Sequence, residues 1–129
     1  YWTKISLLMK ETRPKTIFCD IDGTLVKHES PFVATKPNFK MELLPGTIEK
    51  LEEWDRAGHN IILTTGRRES MRKETEYQLT EAGIIYDYLL MGIKGGKRYL
   101  INDRKPYGDD DYAFAINIQR NQGIKDINL

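Results

Sequence analysis

Apolar positions along the 129-residue chain alternate between two patterns. Residues 15–20 and 60–65 are short runs, apolar at most positions, with the length and continuity of strands buried on both faces. Between them Ile48, Leu51 and Trp54 recur at i, i+3 and i+6, the spacing of one helix face. Pro45-Gly46-Thr47 opens that helix, with Thr47 the expected N-cap, and Gly58 closes it. A second helix is predicted over 69–82, ended by Gly83, followed by strands at 86–91 and 98–102. Residues 112–118 read as a fifth strand, although their spacing also suits a short helix. The stretch 27–44, carrying Pro31 and Pro37, is irregular. Residues 1–13, with Ile5, Leu7, Leu8 and Met9, fit either an extra helix against the sheet or a strand. Strands alternating with helices, with no internal repeat, predict an α/β domain with a mainly parallel sheet.

Composition narrows the setting. The length suits a single domain, 1–129, with 1–14 a peripheral segment. No apolar run approaches a membrane span and no secretory leader is legible, so a membrane partner is not expected. One cysteine, Cys19, excludes an internal disulfide or a thiolate zinc cluster, and the expected home is a reducing cytoplasm. A formal net charge of +1 gives no general attraction to nucleic acid. The chain starts at Tyr1, as a processed protein or a domain of a longer polypeptide would, and fusion or self-association remains open.

The chemistry lies at the ends of the strands. Asp20-Ile21-Asp22-Gly23-Thr24 follows the first one, and in extended chain Asp20 and Asp22 point to the same side. That side is the crevice beyond the strand ends where open α/β sheets bind ligands. Gly23 lets the backbone turn away, and Thr24 supplies a hydroxyl and an amide. Two such close carboxylates repel unless a cation or a proton intervenes, which suits Mg2+ with its preference for carboxylates, water and phosphate oxygens. Ionised Asp20 can attack phosphorus, while Asp22 can protonate the leaving oxygen and later activate water. The bland alternative is a simple turn, since Asp and Gly are common turn residues. The four fixed residues recur by chance in roughly one of several hundred chains of this length.

Other strand ends add to this. Thr65 and Gly66 can hold a phosphoryl oxygen, and Arg67 or Arg68 can make a bidentate contact to substrate. Asp103, between Asn102 and Arg104, would bring a third carboxylate to the metal, with Arg104 beside the substrate. Lys94 and Lys97, around Gly95-Gly96, are candidates to neutralise the phosphoryl group. Each of these taken alone also fits an ordinary turn or a solvated surface charge. His28 and His59 lack metal-ligand spacing and read as surface residues. Phe18, Trp54, Tyr86 and Tyr88 read as core or core-edge packing.

With these residues placed, the chain resembles the haloacid dehalogenase-like superfamily, mostly phosphatases. Asp20 to Thr24 match its first motif, Thr65 its second and Asp103 its fourth. The resemblance implies Asp20 as nucleophile, Asp22 as acid/base, and Mg2+ held by Asp20, the Asp22 carbonyl and Asp103. It implies a Rossmann-like three-layer sandwich with five strands in the order 3-2-1-4-5. The lysine of the third motif matches Lys94 or Lys97, but the spacing to Asp103 is short, and Arg98 could take that part. No large cap domain fits into 27–44 or 91–94. The compact form is loosely similar to phosphatase-like proteins of capsule or surface polysaccharide synthesis.

The leading expectation is therefore a Mg2+-dependent phosphomonoesterase, with an aspartyl-phosphate intermediate, acting on a sugar phosphate or related metabolite. A polynucleotide end phosphatase is the alternative enzyme, disfavoured by the near-neutral charge. A non-catalytic scaffold of a larger protein has no need of Asp20, Asp22, Thr65 and Asp103 together. A phosphomutase would call for a cap to exclude water.

Overall fold

A computed structural model describes residues 13–106, 108 and 110–129. The expectation for 1–13 falls almost wholly outside that range. Among the described residues three parallel strands form one sheet: β1 (Thr16–Asp20), β2 (Asn60–Thr64) and β3 (Tyr88–Leu90), in the order β1-β2-β3. The helices are α1 (Pro31–Ala34), α2 (Thr47–Arg56) and α3 (Arg72–Ala82), the last entered through a 3-10 turn at Glu69–Met71. The molecule is α/β with a parallel, Rossmann-like sheet.

Parallel register sorts the strand residues into two faces. Cys19, Leu63 and Leu89 align across the sheet, and all three are buried. With Ile61 they enter one core cluster that takes in Leu51 and Trp54 of α2 and Leu79 of α3. The opposite face aligns Phe18, Ile62 and Tyr88, and there Phe18 and Tyr88 are 53% and 61% exposed. The expected core packing thus holds for Trp54, which is buried, and for half-buried Tyr86, but not for Phe18 and Tyr88. An apolar run in a strand marks it as buried without saying which face a helix covers.

The expected strands at 98–102 and 112–118 are not present in this structure: among the described residues neither segment belongs to a helix or a strand. Tyr99, Ile101 and Phe114 stand largely in solvent at 85%, 93% and 78% exposure. Alternation of apolar and polar residues supplies a strand-like face, whereas pairing also requires an edge in register. Among the described residues β1 pairs on one side only, with β2.

Thr47 is not the N-cap. Gly46 holds that position in the left-handed region (φ 87°), where a Cβ would lie 2.4 Å from the Lys125 Cα. The Thr47 hydroxyl instead donates to the buried Leu25 carbonyl at 2.6 Å, tying the start of α2 to the loop after β1. The excursion 27–42 is closed at its base by Lys27 N–H donating to Glu42 O (2.8 Å) and Leu44 N–H to Leu25 O (2.9 Å). Residues near the C-terminus return to the same place. Ile124 is buried in the core, and its N–H donates to Pro45 O at 3.0 Å. Among the described residues no helix is long and apolar enough to cross a membrane.

Candidate active site

The loop leaving β1 winds around one carbonyl. Ile21 is fully buried, and its oxygen accepts from the N–H groups of Thr24, Leu25 and Val26 at 3.2, 2.9 and 3.2 Å. Gly23 makes the turn at φ 88°. Buried Ile21 thereby anchors the backbone between two half-buried carboxylates, Asp20 and Asp22, at the end of β1. The Thr24 hydroxyl donates to Asp20 Oδ2 at 3.1 Å.

Asp22 is gripped from the neighbouring strand end. Arg67 donates from Nε to Asp22 Oδ2 at 3.3 Å and from Nη2 to Oδ1 at 3.0 Å, a bidentate fork. The Thr65 hydroxyl, fully buried, donates to the same Oδ2 at 3.4 Å and accepts the Arg67 N–H at 3.1 Å. The loop that carries Thr65 and Arg67 is itself held by the continuation of β3, where Ile93 N–H donates to Thr65 O at 3.0 Å and Gly92 N–H to Arg67 O at 2.8 Å. At Gly66 a Cβ would come within 3.2 Å of the Ile93 carbonyl, so a small residue suits that crossing.

Burial pushes the Asp20 carboxyl above its usual range, opposed by the Thr24 hydroxyl bond and the positive field of Arg98, while the charge of Asp22 adds to the rise. Arg98 thus bears on Asp20 through its charge, although its side chain is exposed, as are those of Lys94 and Lys97. Burial also raises the Cys19 thiol to about 12, with Asp20 adding to it, which leaves Cys19 an inert core residue.

The sequence-derived set is thus divided. Asp20, Asp22, Gly23, Thr24, Thr65, Gly66 and Arg67 converge at adjoining strand ends. Asp103 and Arg104 do not join them: Asp103 is exposed and paired with Lys105 at 3.2 Å, and Arg104 with Asp111 at 2.8 Å. Among the described residues no three His, Cys, Asp or Glu side chains gather as a metal site. Since 98–103 is not on the sheet, nothing carries Asp103 to the crevice. His59 accepts the Lys15 N–H at 2.9 Å near the surface, a structural part.

Sequence reading missed three residues. Asn121, at φ 66°, donates its N–H to Gly23 O and accepts the His28 N–H on Oδ1, both at 2.8 Å, and so braces the turn after Asp20. The Arg120 side chain lies over Gly23, its Cγ 3.2 Å from where a Cβ would stand. Gln78 of α3 accepts from Arg67 Nη1 at 2.6 Å.

Two adjacent carboxylates, one of them held by an arginine and a buried hydroxyl, are the groups that phosphoryl transfer by a nucleophile and an acid/base calls for. Comparison with known proteins agrees. A chain in the structure of the Pnkp1/Rnl/Hen1 RNA repair complex is 32% identical, over 66% of this chain and 28% of that one, with a TM-score of 0.53. A second structure of the Pnkp1/Rnl/Hen1 complex matches at 32% identity, 67% and 30% coverage and the same TM-score of 0.53. The chain therefore spans less than a third of the length of these relatives. A search of curated proteins finds no match. The family model for the phosphatase domain of polynucleotide kinase PNKP matches residues 14–107, a span that holds every strand and helix found among the described residues and the whole Asp20–Arg67 constellation. The chain belongs to that family of haloacid dehalogenase-like phosphatase domains and is a phosphoric monoester hydrolase.

Proposed function

We propose that this domain removes terminal phosphate from polynucleotide ends, with Asp20 as nucleophile and Asp22 as acid/base. The observation that carries the chemistry is the Asp22 carboxylate, oriented by Arg67 and Thr65 beside Asp20. Asp20 forms a bond to phosphorus as the bond to the leaving oxygen breaks, and that oxygen takes its proton from Asp22. Water, deprotonated by Asp22, then attacks phosphorus and releases phosphate from the aspartyl phosphate, freeing the Asp20 carboxylate. Thr24, Thr65 and the Gly66 amide surround the phosphoryl oxygens.

The substrate class rests on the family match and on the relatives from an RNA repair complex. The sugar phosphate expected from sequence gains no support from these comparisons. A groove of about 420 Å³ between residues 35–39 and α3 adds to the polynucleotide reading. Its walls include Phe39, Tyr77, Lys36 and Lys73, rings and ammonium groups of the kind that hold single-stranded nucleic acid.

The donor set at the strand ends fits Mg2+. Burial disfavours the ionised form of Asp20, and a hard cation would offset that cost. The Asp20 carboxylate and the Asp22 carbonyl would hold the ion, with Asp103 as a further ligand, and the ion would supply positive charge for the phosphoryl oxygens. In the working enzyme 98–102 takes the free edge of β1 and 112–118 lies beyond it, giving the order 3-2-1-4-5 and bringing Asp103 to the crevice. The one-sided pairing of β1 and the exposed Tyr99 and Ile101 support this arrangement. A reducing, cytoplasmic setting suits the single inert cysteine.

The test is phosphate release from oligonucleotides phosphorylated at the 3′ or 5′ end, from sugar phosphates and from p-nitrophenyl phosphate. Each is measured with Mg2+ and with chelator, and Asp20→Asn is the control. Mg2+-dependent release that ranks an oligonucleotide first and disappears in the variant is expected. Sugar phosphates ranking first would overturn the substrate class, and wild-type rates in Asp20→Asn would overturn the mechanism.

A further inference from the structure

Gln78 is a buried amide on α3 whose two ends are both committed. Its Nε2 donates to the Ala34 carbonyl at the end of α1 (3.1 Å), which fixes which way the amide faces. Its Oε1 therefore points at Arg67 and accepts from Nη1 at 2.6 Å. Arg67 in turn spends Nε and Nη2 on the two oxygens of Asp22. A guanidinium is a rigid plane, so fixing Nη1 at one corner fixes the angle of the fork at the other. The chain of contacts runs Ala34 carbonyl, Gln78 amide, Arg67 guanidinium, Asp22 carboxylate.

We infer that Gln78 is a positioning residue for the acid/base: through Arg67 it sets the direction in which Asp22 presents its proton to the leaving oxygen. The inference rests on the phosphatase reading above. α3 buries Thr75, Gln78 and Leu79, and a buried amide is costly unless both of its ends are satisfied. Here the satisfied ends are a carbonyl of the 27–44 excursion and the arginine that grips Asp22. Gln78 also lines the groove between 35–39 and α3, so the same side chain borders the space proposed for the polynucleotide.

Leaving-group dependence separates this role from a merely structural one. Departure of an alkoxide from a 3′-phosphorylated oligonucleotide needs the proton of Asp22, whereas departure of p-nitrophenolate hardly does. The parameter kcat/KM stops at leaving-group departure, so the later activation of water does not enter it. Gln78→Met keeps the volume and removes both hydrogen bonds. We expect kcat/KM on the oligonucleotide to fall by about 10- to 100-fold, within the range of general acid catalysis, and on p-nitrophenyl phosphate by less than about threefold. In an Arg67→Lys background the same change should add nothing to the selective loss, because its route is already gone. Equal losses on both esters, or full additivity with Arg67→Lys, would overturn the inference and leave the phosphatase reading standing. A wild-type protein that hydrolyses neither ester sinks both. Should Gln78→Met fail to fold, the wild type itself decides. A held Arg67 guanidinium gives separate, slowly exchanging Nη–H resonances in NMR spectra, and a single averaged line shows that nothing fixes it.

Discussion

At the scale of single residues the site trades stability for chemistry, and Asp20 shows the sign of the trade. Burial raises its carboxyl above the ordinary 3.8, so the folded protein holds that proton more tightly than the unfolded chain does. Below 3.8 neither state is ionised and there is no penalty. As pH rises through the raised value the folded state takes on the cost of a half-buried carboxylate and stability falls. Asp20→Asn keeps an acceptor for the Thr24 hydroxyl and removes the charge. We therefore predict that, in chelator at neutral pH, the variant melts at a higher temperature than the wild type. The gap should close as pH is lowered past 3.8, and phosphate release should stay at background throughout. Thermal scans across pH check this. A variant less stable than wild type at neutral pH would mean that Thr24 and Arg98 together outweigh burial.

At the scale of elements, what could be read in advance depends on whether a segment's partners are set locally. The first strand, both main helices and the glycine-marked ends at 58 and 83 came through, because periodicity and turn residues report on the segment itself. Thr47 misled because its hydroxyl found a carbonyl 22 residues away, at Leu25, while Gly46 met Lys125 across the chain. That Asp20, Asp22, Thr65 and Arg67 come together was legible, since a strand end fixes where they point. Asp103 was placed on the same logic, but its strand is not on the sheet in this structure. Gln78 and Asn121 were not legible, as their roles come from tertiary contacts that no local pattern encodes. The position of 98–102 yields a prediction of its own. If that segment takes the edge of β1 in the working enzyme, Mg2+ with a phosphate mimic should slow its amide exchange, the signature of new ladder hydrogen bonds. The amides of 60–64, already paired, should change little. Exchange at 98–102 that stays fast with ligand in place would leave the sheet at three strands and remove the route by which Asp103 reaches the crevice.

At the scale of the whole molecule, charge decides how the proposed polynucleotide substrate can be held. A net charge of +1 creates no broad field to gather nucleic acid, so affinity has to come from a few local contacts and from rings. The groove beside α3 offers two ammonium groups, Lys36 and Lys73, with Glu74 opposing them and the rings of Phe39 and Tyr77 alongside. The Lys36 ammonium already rests 4.7 Å from the centre of the Phe32 ring. Each phosphate neutralised on a single strand contributes a slope of about −0.7 to the dependence of affinity on salt. With two lysines in play, affinity for a single-stranded oligonucleotide should weaken by only about sevenfold between about 50 and about 200 mM salt. Replacing both lysines by alanine should flatten that dependence while leaving hydrolysis of p-nitrophenyl phosphate at the wild-type rate. Tyr77→Ala should weaken binding at every salt concentration alike, because stacking carries no counterions. Titrating a fluorescent oligonucleotide across salt measures all three. A much steeper dependence, unchanged in the double variant, would place the nucleic acid on basic residues elsewhere, with the Arg67-Arg68 turn and Arg120 over Gly23 next to be replaced. A dependence already flat in the wild type would remove the groove from the account and leave the polynucleotide held at its terminal phosphate alone.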